Sequence, residues 1–334
     1  MTANRNFKRR VRARAAKTGQ SYTTALRHFR QTPTGEVMPE NKRVRLAVAQ
    51  SVVVEDPRSV PALQASGRGI RRLMRQAHAA GARIAHFPEG AMCAPGKFVM
   101  SADGPDRVGP ADWGRFAWDV LRHELGATAE LARELRLWTV LGSVHRLTAP
   151  HRPHNSLYVI SDRGQLVTRY DERMLSHTKL SHLYAPGSAP LTFDVDGVRF
   201  GCLLGMEVHF PELFGEYERL DVDCVLFSTT GAGSGTFATE ALGHAAVNGY
   251  WVSFAVPAQH STTAPSGVIS PGGEWLARCP RDGTASVVLT DLDDSSEQVE
   301  VPVFKARPWR RKARTGVYAP HHVQDPRSAN RTVF

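Results

Sequence analysis

The sequence has little of what marks a metalloprotein, a secreted scaffold or a membrane protein. Its four cysteines, Cys93, Cys202, Cys224 and Cys279, are too dispersed for any Cys-x-x-Cys pair, so neither a zinc site nor a disulfide framework is expected. Cys202 and Cys224 lie in apolar, strand-like runs and read as buried free thiols. The fourteen histidines contain no His-Glu-x-x-His pattern, and no metal or other cofactor is expected. No apolar run approaches the roughly 20 residues that a membrane span needs. The N-terminal segment is basic and polar, without the hydrophobic stretch of a secretory signal. The expectation is a cytoplasmic protein that makes no membrane contact.

What is present is ordinary for a globular chain. With 42% hydrophobic and 22% charged residues over 334 positions, a sizeable core is expected in one large domain or two small ones. The net charge of +10 is unevenly placed. Residues 1–44 hold eleven Lys and Arg against Glu36 and Glu40, leaving 31 basic and 30 acidic residues for the remainder. High basicity is thus a property of the tail and not of the domain behind it.

Three regions follow from pattern. Residues 1–43 read as a basic helical tail and linker: Phe7, Val11 and Ala15 mark one helix, Gly19 ends it, and Tyr22, Leu26 and Phe29 mark a second before a Pro- and Gly-containing linker. Residues 44–300 alternate strands and helices. Val44 to Ser51 and Arg83 to Phe87 read as strands around a helix marked by Ile70, Leu73, Met74 and Ala77. A long helix is expected from Trp113 to Arg136, then a strand from Trp138. Hairpins are expected at Asn155 to Tyr170 and Leu191 to Leu204, which makes the sheets mixed. Later strands are placed at Val222 to Ser228, Trp251 to Val256, around Val268 and at Val287 to Leu292, with a helix from Phe237 to Val247. Residues 301–334 read as an extended arm packed on a partner subunit.

The most informative stretch is Gly201 to Phe214. An apolar run ends in a tight turn at Met206 to His209, and a helix starts with Pro211 at its first position. This is a strand-to-helix elbow, a place where an α/β enzyme can hold a nucleophile beside backbone N–H groups. Its tip is Gly205, with no side chain.

Phe87-Pro88-Glu89, Asn155 with Gly164 and Tyr170, Tyr184-x-Pro186-Gly187, and Gly201-x-x-x-Gly205-x-Glu207-x-His209-Phe210-Pro211-Glu212-Leu213 occur in an order that resembles the nitrilase superfamily of carbon–nitrogen hydrolases, from about Val44 to Leu292. The resemblance implies a four-layer αββα sandwich and pairing into homodimers or larger homo-oligomers. It also implies a glutamate base, a lysine that stabilises the tetrahedral intermediate, a cysteine nucleophile and a supporting glutamate. Carried over, the base is Glu89. The lysine position is Glu172, the supporting glutamate position is Lys179, and the cysteine position is Gly205. Tyr170, Arg173, Glu207 and His209 are expected to line or support the pocket. Glu207 and His209 also have a plain reading as capping or pairing groups at the helix start.

Two readings of the exchanged signs stay open. In one, carboxylate and ammonium still meet with their chain origins swapped, and glycine at the tip leaves room for a water. In the other, the loop is remodelled and Lys179 points to solvent, with Arg173 as a rival cation. Cys93, in a loop four residues beyond Glu89, is the better substitute thiol, since Cys202 has the wrong strand parity to share the face of the tip. Three functions compete: an altered enzyme in which Glu89 and Lys179 act on a small amide-like or nitrogenous molecule, an inactive homologue binding a small ligand or partner, and a dimeric scaffold tethered to nucleic acid or an acidic partner by residues 1–43.

Overall fold

Side-chain alternation along the first strand separates the two halves of the core. In β1 (Arg43–Gln50), Val44, Leu46 and Val48 join one buried cluster while Ala47 and Ala49 join another, as period-2 geometry requires of a strand covered on both faces. The computed structural model describes Arg12, residues 42–230 and residues 235–332. The helical pair expected within residues 1–43 falls outside them, apart from Arg12 and the last two positions.

Next come α1 (Val60–Ala79), β2 (Ile84–His86), α2 (Trp118–Leu135), β3 (Trp138–His145), β4 (His154–Ile160) and β5 (Leu166–Asp171). The Ser59 hydroxyl caps α1 by accepting from the Ala62 N–H, supplying one of the acceptors that a helix start lacks. After β6 (Thr192–Val195) and β7 (Val198–Leu204) the chain continues through α3 (Pro211–Arg219), β8 (Cys224–Ser228), α4 (Thr236–Asn248) and β9 (Trp251–Ala255). It finishes with β10 (Gly267–Ile269), β11 (Trp275–Arg278), β12 (Ser286–Asp293), α5 (Glu297–Val301) and α6 (Arg307–Arg314).

Two six-stranded mixed sheets result, in the orders β12-β1-β2-β3-β4-β5 and β11-β10-β9-β8-β7-β6. Each has a parallel centre, β1-β2-β3 in one and β7-β8-β9 in the other, flanked by antiparallel pairs. Leu63, Ile70, Leu73 and Met74 of α1 and Leu121 and Leu131 of α2 cover the first sheet with Ala47 and Ala85. Leu46, Val48, Ile84 and Val140 share their cluster with Cys202, Leu204, Val225 and Phe254 of the second sheet. The architecture is the four-layer αββα sandwich. Among the described residues no helix is long and apolar enough to cross a membrane.

Three local expectations are corrected. The helix expected from Trp113 is interrupted: a short turn at Trp113–Arg115 is followed by extended Phe116, and α2 begins at Trp118. Stacking of Phe116 on Trp118, with centroids 4.2 Å apart, accounts for the break. Edge strand β11, pairing with β10, was not expected at all. The C-terminal segment is not extended between 297 and 314 but helical.

Its helix is held by charge. Arg307, Arg311 and Arg314 recur at helical spacing and converge on Glu218 of α3, whose side chain is fully buried, with Arg311 Nε at 2.7 Å, Arg314 Nη1 at 2.8 Å and Arg307 Nε at 3.6 Å. Burial alone would raise the Glu218 carboxyl, but the arginines hold it below its ordinary range. Glu218→Ala should therefore release α6. We expect a loss of about 1–3 kcal/mol, discounted because Arg311 and Arg314 are 38% and 51% exposed, together with faster tryptic cleavage within 307–314. Unchanged cleavage and melting would show that the cluster holds nothing.

Candidate active site

The site is built where β2, β5 and β7 end and β4 begins. Phe87-Pro88-Glu89 follows β2 and is tied down by a buried polar chain between the sheets. His86 Nε2 lies 2.7 Å from Ser228 Oγ and Nδ1 lies 2.8 Å from Ser253 Oγ, while Ser228 Oγ donates to the Phe87 carbonyl at 2.9 Å. Because Ser228 spends its proton on Phe87, His86 donates through Nε2 and accepts at Nδ1. Burial pushes this imidazole down to about 3, so it stays neutral. The Thr230 N–H then donates to Glu89 Oε2 at 2.7 Å. Nothing in the pattern around His86, Ser228 or Ser253 marks this chain, since each looks like an isolated polar residue in an apolar strand.

The elbow is set by close approach and by one carboxylate. A Cβ at Gly201 would lie 2.6 Å from the Tyr217 ring of α3, so glycine there lets the helix pack and lets the Tyr217 hydroxyl donate to the Cys202 carbonyl at 2.6 Å. Glu207 sits in the short turn Gly205–His209 and accepts from the Leu204, Arg173 and Met174 N–H groups at 2.8, 2.7 and 3.2 Å and from the Tyr170 hydroxyl at 2.8 Å. Burial raises Glu207 and these donors oppose it. Glu207 thus fastens the elbow to the segment after β5, with Tyr170 as its partner.

That segment delivers the charged groups. Lys179 Nζ lies 2.5 Å from Glu89 Oε1 and 2.7 Å from Glu172 Oε2. Asn155 of β4 bridges the same two carboxylates, donating to Glu89 at 2.8 Å and to Glu172 at 2.6 Å. Of the three ionisable side chains, Lys179 is 19% exposed, Glu89 4% and Glu172 0%. Burial pushes the Glu172 carboxyl up to about 8, against the pull of Lys179 and with the push of Glu89. Lys179 is raised above the ordinary lysine range by Glu172 and Glu89 despite its burial. It is held as an ammonium and is not free as an amine nucleophile.

Gly205 stands directly beneath this trio. Its φ is +55°, and a Cβ there would lie 2.5 Å from Glu172 Oε1 and 2.9 Å from Lys179 Nζ. The room expected above a glycine tip does not exist, because the two exchanged side chains fill it. Arg173 does not join the trio: it pairs with Glu216 at 2.8 Å and hydrogen-bonds the Tyr170 hydroxyl. His209 also turns away, since its Nδ1 lies 2.7 Å from Glu240 Oε2 and its ring meets the edge of Phe237, both on α4. Cys93 is buried, and desolvation pushes its thiol up, as it does for Cys202. Among the described residues no group of His, Cys, Asp and Glu could hold a metal ion.

A cavity of about 320 Å³ opens onto the trio, lined at its base by Glu89, Asn155, Lys179, Tyr184 and Thr230 and at its rim by Glu55, Lys97 and His260. The loop 95–99 forms one wall. Asn155 and Tyr184, which the sequence offered only as landmarks, are thus part of the pocket floor.

The sequence profile of the carbon-nitrogen hydrolases matches residues 45–300. The chain belongs to the carbon–nitrogen hydrolase family. Among solved structures, a cysteine-to-alanine variant of an amidase of the nitrilase superfamily from Nesterenkonia AN1 superposes with a TM-score of 0.63 at 17% identity, covering 82% of this chain and 99% of the amidase. Nit3 of Saccharomyces cerevisiae, a member of branch 10 of the nitrilase superfamily, gives a TM-score of 0.62 at 17% identity, covering 80% of this chain and 97% of its own. Identity this low carries the fold and not the activity. No curated protein matches the chain.

Proposed function

We propose that this carbon–nitrogen hydrolase homologue binds a small amide-like or nitrogenous molecule in the cavity above Lys179 and forms no covalent intermediate with it. One observation carries this reading: Glu172 and Lys179 occupy the space over Gly205 in which a nucleophilic side chain would have to stand. A cysteine path would also need an accessible thiol of lowered pKa, and burial drives Cys93 and Cys202 the other way.

A second reading has its own support. Glu89 and Lys179 both line the cavity in direct contact, and a carboxylate beside an ammonium is the pair that a water-based hydrolysis would use, one to take the proton of water and one to stabilise the developing oxyanion. Both readings predict insensitivity to thiol reagents. The test is to incubate the full chain with a panel of small aliphatic and aromatic amides and to follow melting temperature and ammonia release, with and without iodoacetamide. Binding without ammonia supports the first reading. Ammonia release that falls at least about 100-fold in Glu89→Gln supports the second. Inactivation that tracks alkylation of Cys93 would overturn both.

A further inference from the structure

Five tyrosines are buried, and four of them spend the hydroxyl inside the protein: Tyr158 on His145, Tyr170 on Glu207, Tyr217 on the Cys202 carbonyl and Tyr250 on the Phe214 carbonyl. The fifth is Tyr184. It is only 4% exposed, yet its hydroxyl has no hydrogen-bond partner among the described residues. Its oxygen is not sealed in, and the space it reaches is the cavity whose floor the residue lines. The ring cannot swing away to find a partner elsewhere. It packs on Trp113 with centroids 5.6 Å apart, its own N–H donates to the Lys179 carbonyl at 2.8 Å, and Trp113 Nε1 donates to the adjoining Leu183 carbonyl at 3.0 Å. Phenylalanine would fill this place in an aromatic cluster without leaving a polar atom unpaired. The hydroxyl therefore calls for an acceptor in the cavity.

The charged trio offers the opposite half of a recognition pair. A carboxylate has about four lone-pair sites. On Glu89, Oε1 accepts from Asn155 and Lys179, while Oε2 accepts only from the Thr230 N–H. One acceptor site is left on Oε2. Lys179 has nothing left to offer, because Nζ lies 2.5 Å from Glu89 Oε1 and 3.0 and 2.7 Å from the two oxygens of Glu172. Glu172 is buried and does not line the cavity. The floor thus presents one free donor, on Tyr184, and one free acceptor, on Glu89.

We propose that Tyr184 is the residue that determines specificity in this cavity: its hydroxyl donates to a carbonyl oxygen of the ligand while Glu89 Oε2 accepts an N–H borne by the same carbonyl carbon, as in a primary carboxamide. The inference rests on the small-molecule reading above and names the head group and the residue that reads it. Burial keeps Tyr184 a phenol, with the Lys179 charge opposing that effect and Glu89 adding to it, so it meets the ligand as a donor. An ester satisfies Tyr184 and leaves Glu89 without its N–H. A carboxylate ligand meets Glu89 with like charge and finds no free donor on Lys179. An alkylammonium can donate to Glu89, but it leaves the phenol proton unpaired and stands beside a second cation. Phe98, Val99 and Leu183, which also line the cavity, supply apolar surface for a short hydrocarbon or aromatic body.

The experiment titrates the full chain and its Tyr184→Phe variant with two sets of matched probes: propionamide, methyl propionate and propylamine, then phenylacetamide, methyl phenylacetate and phenethylamine. Kd is read by calorimetry, or KM where ammonia is released, and melting temperature is measured without ligand. In at least one set the amide should bind about tenfold or more tightly than its ester and its amine, and Tyr184→Phe should weaken the amide about tenfold. The variant should melt at the parent's temperature or above it, since it loses an unpaired polar atom and no internal hydrogen bond. Affinity then falls while stability does not, which a structural role for the hydroxyl cannot produce. A variant that melts lower shows that the hydroxyl is held within the protein, and the assignment fails. Amide binding unchanged by Tyr184→Phe, or an ester or amine that binds as well as its amide, overturns the assignment but leaves a small-molecule site. If no probe of either set binds the parent, the small-molecule reading fails and this inference fails with it.

Discussion

Gly205→Cys yields a less stable protein that does not hydrolyse amides. Two costs add at this position. A residue with a Cβ at φ +55° pays about 1 kcal/mol for left-handed backbone. The Cβ must also displace Glu172 Oε1 and Lys179 Nζ from 2.5 and 2.9 Å, and loosening a buried, hydrogen-bonded ion pair costs about 1–3 kcal/mol more. The sum is about 2–4 kcal/mol, or about 4–8 °C of melting temperature for a domain of this size. Gly205→Ala isolates the steric part, and both variants should melt alike. Joining Gly205→Cys with Glu172→Lys and Lys179→Glu returns each charge to the position that the family resemblance implies. Thiol-dependent ammonia release is therefore expected of the triple variant and not of Gly205→Cys alone. A single Gly205→Cys variant that is as stable as the parent and hydrolyses amides would show that the trio does not fill the seat.

The elbow could be read from sequence because its constraints are local. Gly201 must be small beneath Tyr217, and Pro211 can stand only at a helix start, so the two fix the register of Gly205 from both sides. The alternation of strands and helices was legible for the same reason, since their periodicities are properties of short windows, whereas the four-layer order was implied only by the family resemblance. What lay beyond reach depends on paths through space. Lys179 meets Glu89 across ninety positions of chain only because residues 172–187 fold back over β5, where the Gly187 N–H donates to the Glu172 carbonyl. No pattern within that loop encodes its destination. His209 looked like a pocket group because it adjoins the tip, yet the tight turn rotates it toward Glu240. Filling of the space above Gly205 was missed because a glycine says what is absent at its own position and nothing about what leans in from elsewhere. The arm was misjudged for a related reason: Arg307, Arg311 and Arg314 have helical spacing, but their partner Glu218 lies about ninety residues away.

Lys179→Met should be the most destabilising single change in the floor, and its cost should depend on pH in a direction that identifies the cause. Removing the ammonium leaves Glu89 and Glu172 facing one another with only Asn155 shared between them. Breaking a buried ion pair by deleting one partner costs about 3–5 kcal/mol, and the partial exposure of Lys179 places the expectation at the lower end. In the parent protein the Glu172 carboxyl has a folded pKa of about 8 against an ordinary 4.5. Between those values the folded state binds more protons than the unfolded state, so this group's contribution to stability falls as pH rises across the window. Lys179 is raised above the ordinary lysine range and stays charged throughout it, so the slope belongs to the carboxyl. Without Lys179 the attraction that opposes burial is gone, and Glu172 moves further up. The variant's stability must then go on falling above pH 8, where the parent's levels off. Urea unfolding at pH 6 and pH 9.5 should show the smaller deficit at pH 6, where the folded carboxyl holds its proton in either protein, and the larger deficit at pH 9.5, where only the variant still has to hold it. Adding Glu172→Gln to Lys179→Met should recover most of the loss at pH 9.5, because a neutral amide no longer needs a cation. A deficit equal at both pH values, or unrelieved by Glu172→Gln, would mean that Lys179 stabilises the floor by packing and not by charge.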